Sequence, residues 1–341
     1  MKTLFTALAE ELDAGRGAVV ATVVASRGST PRGPGARMLV RAGGSALGTV
    51  GGGQVELEAA RQARDLCREG RSMTKTYRLT NTQAGDLGMV CGGEADILFQ
   101  YVAPAGLPQV QKILRALEDR TEPRWLVTVF ALDSWRWGLC DEAGSCPDLG
   151  GIPGERLLPL LGKRPALGEG DPALFVQLLA PAGTVYLFGA GHVGLALVHL
   201  LALTEFPVVV YDQRPAPPDG IPEAVRVVQG PYEDALSRLE AIGPEDYVVI
   251  MTPGHQGDYE ILRQVLRTPA RYIGCIGSRR KIAATRERLL ADGFSEADFA
   301  RVHAPIGLDI GGETPQEIAL SVAAQLVACR AGKPTRREDR P

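Results

Sequence analysis

Residues 184–194 read TVYLFGAGHVG, and their reading decides the fold. The apolar run Val185, Tyr186, Leu187 and Phe188 suits a strand buried on both faces. Gly189, Gly191 and Gly194 then give the GxGxxG spacing that turns such a strand into a helix. Gly189 allows the tight turn, Gly191 lets a phosphate approach the backbone, and Gly194 lets the helix press on the strand. Free amides at a helix start face an anion, so Gly189, Gly191, His192, Val193 and Gly194 form a candidate phosphate-binding set. A second apolar strand, PVVVYD, ends on Asp212, about 20 residues beyond the turn, where a ribose-binding acid is expected. Asp212 favours a free ribose hydroxyl over a 2′-phosphate, a preference that the neighbouring Arg214 softens.

Downstream, the strand, turn and helix rhythm continues. Short apolar strands are expected over residues 225–228, 247–251 and 272–276, with crossover helices over 232–242 and 258–266. That pattern is a doubly wound parallel sheet, a Rossmann-like domain over residues 181–332. Loops after its strands carry the polar residues. TPGHQGD holds His255 and Asp258, a candidate acid–base or metal pair, with Asp258 alternatively a helix cap. GSRRK, Gly277 to Lys281, sets Ser278 at a helix start followed by Arg279, Arg280 and Lys281. Basic residues there oppose the helix dipole, which favours an anion seat over a solvated face. Asp309, Gly311 and Gly312 form a further loop. Thr314, Pro315 and Glu317 spell a capping box for the final helix.

Upstream, residues 1–180 read as a mixed α/β domain: an amphipathic first helix, strands over 17–26, 38–41, 72–79, 94–102 and 124–133, and helices over 54–68 and 107–119. Residues 145–172 are rich in Gly and Pro and read as an irregular connection. Gly51, Gly52 and Gly53 run into a helix with Glu56 in its first turn, a candidate amide nest. Arg27, Arg32 and Arg37 lie around a Gly/Pro loop and can bring charge to a phosphate. Cys91 is followed by two glycines in a polar loop, where a thiol can ligate a soft metal or hold sulfur.

At 341 residues the chain exceeds the size at which one core keeps growing, so two domains are the expectation. With 45% apolar and 23% charged residues and a net charge of −3, there is no electrostatic case for nucleic acid or a membrane surface. No signal peptide or membrane span is read, and a cytoplasmic protein is expected. The six cysteines form no CxxC. Cys140 and Cys146 are spaced too loosely for a metal site, so reduced thiols are expected. Residues 333–341 read as a flexible tail.

The strings GSTPRGPGARMLV, GTVGGGQVELEA, VCGGE, LFGAGHVGLAL, VYDQR, YIGCIGSRRK and PIGLDIGGETPQEIALSVAAQL, in this order, resemble the XdhC/CoxI family of molybdenum hydroxylase accessory proteins. The sequence departs from the family pattern at TPGHQGD, where Pro253 replaces a histidine directly after the threonine. The resemblance implies a chaperone that binds molybdenum cofactor, as molybdopterin or its cytosine dinucleotide, and supports its sulfuration with a cysteine desulfurase or sulfurtransferase. It further implies delivery to an apo molybdenum hydroxylase of the xanthine dehydrogenase, aldehyde oxidoreductase or carbon monoxide dehydrogenase type. Two other readings of the same residues stand beside it. One is an NAD(P)-dependent oxidoreductase with Asp212 on the ribose and His255 or His192 moving a proton. The other is a non-catalytic nucleotide-binding module that dimerises. A homodimer is the base-rate expectation in each case.

Overall fold

The computed structural model describes residues 1–79, 93–119, 122–131, 135–179, 183–216 and 219–335. The chain divides into two units, Met1–Pro181 and Ala182–Pro341.

The first unit is built on strand β1 (Ala18–Gly28), whose AVVATVV run is buried on both faces. Successive side chains of a strand point to opposite faces. Ala18 and Val20 therefore pack with the helices Lys2–Asp13 and Leu107–Glu118, while Val19, Ala21 and Val23 pack with the helix Gly53–Glu69. With β2 (Arg37–Arg41), β3 (Ala46–Gly48), β4 (Met73–Leu79) and β5 (Gly93–Val102), β1 forms an antiparallel sheet in the order β3-β2-β1-β5-β4. A second antiparallel sheet joins β6 (Arg124–Phe130), β7 (Trp135–Cys140), β8 (Ala166–Gly168) and β9 (Ala173–Leu179) in the order β7-β6-β9-β8.

Residues 145–172 are more regular than their Gly and Pro content suggests. They hold the turns Pro147–Leu149 and Leu158–Leu160, the short helix Gly154–Leu157 and strand β8. Leu149 and Leu157 are buried, and this apolar anchoring orders a segment whose local propensities are poor.

The turn over residues 141–145 closes through Asp141 N–H donating to Ser145 O at 3.1 Å. It brings Cys140 and Cys146 into thiol–thiol contact. Burial raises both thiols, Cys146 to about 12. The thiolate is the reactive form, so neither cysteine should alkylate with iodoacetamide at pH 8 in the native protein, and both should label fully in urea. Peptide mass mapping reads this out, and rapid native labelling of either residue would contradict the placement.

The second unit is a single all-parallel sheet. Its strands β10 (Val185–Phe188), β11 (Val208–Asp212), β12 (Arg226–Gln229), β13 (Tyr247–Ile250), β14 (Tyr272–Cys275) and β15 (Val302–His303) stand in the order β12-β11-β10-β13-β14-β15. Numbered within the unit this is 3-2-1-4-5-6, the doubly wound dinucleotide-binding order. Helices His192–Leu203 and Pro315–Arg330 cover one face through Leu197, Val198, Leu201, Val322 and Leu326. Helices His255–Val265 and Arg279–Ala291 cover the other through Ile261, Leu262, Val265 and Leu289. The crossover expected as a helix over 232–242 is instead a 3-10 segment, Tyr232–Arg238, kinked at Asp234. Thr314 and Glu317 form the capping box as read.

Candidate functional site at the carboxyl edge of the parallel sheet

Strand order reverses between β10 and β13, and ligands of open α/β sheets bind in the crevice outside the carboxyl ends at such a switch point. The glycine turn follows β10, residues 252–258 follow β13, and GSRRK follows β14. Three helices therefore begin on one edge, at His192, His255 and Arg279.

The glycines of the turn differ in what requires them. Gly189 has φ +95°, and a Cβ there would lie 2.4 Å from Met251 O. At Gly194 a Cβ would lie 2.4 Å from Gly189 O. Close approach of the turn to β13 and of the helix to the turn accounts for both. Gly191 is different. Its φ of −69° is open to any residue, and a Cβ would meet nothing within 4 Å. Internal packing does not call for a glycine here, whereas a ligand resting on the backbone would. His192 is exposed at the helix start and Val193 half-buried.

Asp212 is 1% exposed. Its Oδ2 accepts from Ala190 N at 2.9 Å and Arg214 Nη2 at 2.7 Å, and its Oδ1 from Arg214 N at 3.0 Å and Arg214 Nε at 2.9 Å. Arg214 Nη2 also donates to Ala190 O at 2.9 Å. Acid and arginine together clamp the glycine turn to the end of β11.

His255 and Asp258 do not form a pair. His255 is exposed as the first residue of its helix, and Gly254, not Asp258, occupies the cap position with φ +97°. Asp258 is 1% exposed; its Oδ1 accepts from Thr252 N at 3.1 Å and Thr252 Oγ1 at 2.6 Å, and its Oδ2 lies 2.6 Å from Lys281 Nζ. Lys281 is thereby neutralised and ties the loop after β13 to the helix after β14. These two residues lie 23 positions apart, and no spacing rule links them; only the adjacency of β13 and β14 does. Asp258, Lys281, Cys275 and Thr285 share the lining of a small cavity, where burial pushes the Cys275 thiol well above its ordinary range.

Ser278 caps its helix by accepting from Lys281 N at 3.3 Å, beside half-buried Gly277. Arg279 and Arg280 are exposed, and among the described residues neither enters an ion pair. They are the uncommitted cations of this edge.

In the first unit, the amide nest has an internal occupant. Glu56 accepts from Gly52 N at 3.1 Å and from Thr49 Oγ1, while Thr49 Oγ1 accepts from Gly51 N at 3.2 Å. Gly53 opens the helix with φ +56°. Arg37 lies on β2, buried, with its guanidinium on Gln177 Oε1 and lowered to about 10 by burial. Arg27 pairs with Asp96 at 3.2 Å, and Arg32 remains exposed. Cys91 lies outside the described residues. Among the described residues no group of three or more His, Cys, Asp or Glu is placed to hold a metal, and no helix is long and apolar enough to cross a membrane.

Two family models match this chain: the XdhC and CoxI family over residues 11–78, and the XdhC Rossmann domain over residues 185–326. The protein YqeB of Escherichia coli K12 is 27% identical over 317 residues; the match covers 92% of this chain, which spans 44% of the length of that relative. A probable xanthine dehydrogenase subunit of Bacillus subtilis 168 is 28% identical over 96% of this chain and 97% of its own. The molybdenum cofactor insertion chaperone PaoD of E. coli K12 is 24% identical over 96% of this chain and 88% of its own. The crystal structure of a xanthine dehydrogenase from Bacillus halodurans shares the fold, with a TM-score of 0.79 at 24% identity over 99% of this chain and 98% of that one.

Proposed function

Since the chain belongs to the XdhC and CoxI family, we propose that it is an accessory protein that holds molybdenum cofactor and passes it to an apo molybdenum hydroxylase. The relative named as a cofactor insertion chaperone is matched along nearly the whole of both chains, which supports this role over that of a turnover enzyme. The cofactor is the cargo, a pterin with a dithiolene for the metal and a phosphate end. The observation that carries its placement is Gly191, a glycine at the switch point that neither its backbone angle nor its neighbours require.

In this reading the phosphate end rests on the amides of Gly191, His192 and Val193. Arg279 and Arg280 supply charge from the neighbouring helix start, and Asp212 keeps the turn in shape through the Ala190 amide. Asp258 holds Lys281 away from the ligand, so Lys281 steadies the loop rather than binding the anion. Cys91 is proposed as the thiol that meets the metal or its terminal sulfur during sulfuration by a sulfurtransferase.

The test is to purify the protein from cells that make the cofactor and measure bound pterin by its oxidised fluorescence. The parent should carry pterin, and Arg279→Ala/Arg280→Ala should carry much less. Gly191→Ala should change stability by less than about 1 kcal/mol yet lose most of the pterin, because its methyl group takes the ligand's space. Equal pterin in Gly191→Ala and the parent would remove the turn from the site. Pterin absent from the parent while a known carrier retains it would remove the function.

A further inference from the structure

We infer that Arg214 sets the class of ligand accepted at the glycine turn: it fills the acceptor positions of Asp212, closing the turn to a dinucleotide ribose and leaving it to a phosphomonoester or pyrophosphate. This narrows the phosphate-end reading above and rests on it.

An acid at the end of the second strand binds a dinucleotide by accepting hydrogen bonds from ribose hydroxyls. A carboxylate offers about four lone-pair positions, and here four donors fill them: Ala190 N, Arg214 N, Arg214 Nε and Arg214 Nη2. Ala190 and Arg214 donate two of these from the backbone, so they belong to the shape of the turn itself. The two from the guanidinium are optional and depend on one side chain.

That side chain is well seated. Its Nη2 also reaches Ala190 O, so the guanidinium bridges the acid and the glycine turn. A ribose hydroxyl would have to displace a two-pronged guanidinium contact with bonds from an uncharged donor, a losing exchange. With Asp212 only 1% exposed, there is no outward lone pair to use instead. The helix start at Gly191 stays open, and a phosphate needs only that.

The experiment compares the full chain with Arg214→Gln, Arg214→Leu and Arg214→Gln/Asp212→Asn, using NADH fluorescence, pyrophosphate calorimetry and a thermal melt of each variant. Leucine removes every side-chain donor; glutamine keeps polarity in case leucine unsettles the fold. Arg214→Gln or Arg214→Leu should bind NADH about tenfold or more tighter than the parent, a change of about one decade in Kd. In the single variants whose melt matches the parent, pyrophosphate affinity should move by less than about threefold, because Ala190 N still donates to Asp212, and the double variant should lose the gain in NADH. A parent that binds NADH as tightly as the folded single variants overturns the inference, even if pyrophosphate binds normally. Pyrophosphate failing to bind every protein while the NADH gain appears would instead sink the phosphate reading and leave Arg214 as the ribose barrier.

Discussion

Gly189→Val is expected to cost the second unit about 3 kcal/mol or more, a large share of the stability of a domain of this size. Gly189 has φ +95°, a region closed to a β-branched residue. The new Cβ would also sit 2.4 Å from Met251 O, 2.8 Å from Met251 C and 2.9 Å from Thr252 Cα. All three are backbone atoms, so no side chain can swing away. Nor can the turn back off, because Gly189 N donates to Tyr211 O at 2.8 Å and Met251 N donates to Phe188 O at 2.8 Å. Any retreat breaks the ladder at the middle of the sheet, where both apolar cores meet β10. Urea unfolding followed by far-UV circular dichroism measures the loss. Trp125, Trp135 and Trp137 all belong to the first unit, so their fluorescence follows that unit separately. A variant with the parent's unfolding midpoint would show that the turn does not pack on β13 as described. The contrast with Gly191→Ala matters most, since two glycines of one motif should differ in stability: Gly189→Val loses it, whereas Gly191→Ala keeps it and loses the ligand.

How much of this was legible in the sequence depended on how local the cause was. The apolar strands β10 to β14 of the second unit and their parallel rhythm could be read directly, because each is flanked by its own turn signals, whereas the two-residue β15 was not read. The capping box at Thr314 and Glu317 is a contact three residues long and was equally readable. The glycine turn was legible as a shape, but the state of Asp212 was not. VYDQR shows an arginine two residues after the acid, yet only the folded turn reveals that its fork closes on Asp212 and Ala190. Lys281 read as one of three anion-facing cations, and its neutralisation by Asp258 depends on β13 and β14 being neighbours. The kinked crossover at Tyr232–Arg238 and strand β8 followed from packing against distant side chains, which short-range propensity does not carry. Arg37 looked like a loop cation for the same reason: its partner, Gln177, lies on β9, far along the chain.

Asp212→Ala is expected to cost about 2 to 3 kcal/mol near neutral pH. The buried Ala190 amide loses its acceptor, and Arg214 loses the carboxylate that holds its fork. The full penalty of breaking a buried ion pair does not apply, because the Arg214 side chain is 43% exposed and can turn to water. The pH dependence identifies the cause. Burial pushes the Asp212 carboxyl up, but the Arg214 guanidinium and the Ala190 and Arg214 amides outweigh it and hold the group below its ordinary value. A carboxyl lowered on folding contributes its stability in full above the unfolded value, about 3.9, and loses it as pH falls through the lower folded value. The parent should therefore lose stability more steeply than the variant below about pH 4, and the gap between them, constant from about pH 5 to 8, should close in acid. Asp212→Asn, which keeps one oxygen for Ala190 N but turns an amide toward Arg214, should fall between the two. Urea midpoints measured across this range decide it: a gap that widens in acid contradicts the clamp. A carboxylate left free for a ligand would instead leave almost no gap at any pH, so the size of the neutral-pH gap reports how completely Arg214 occupies the acid.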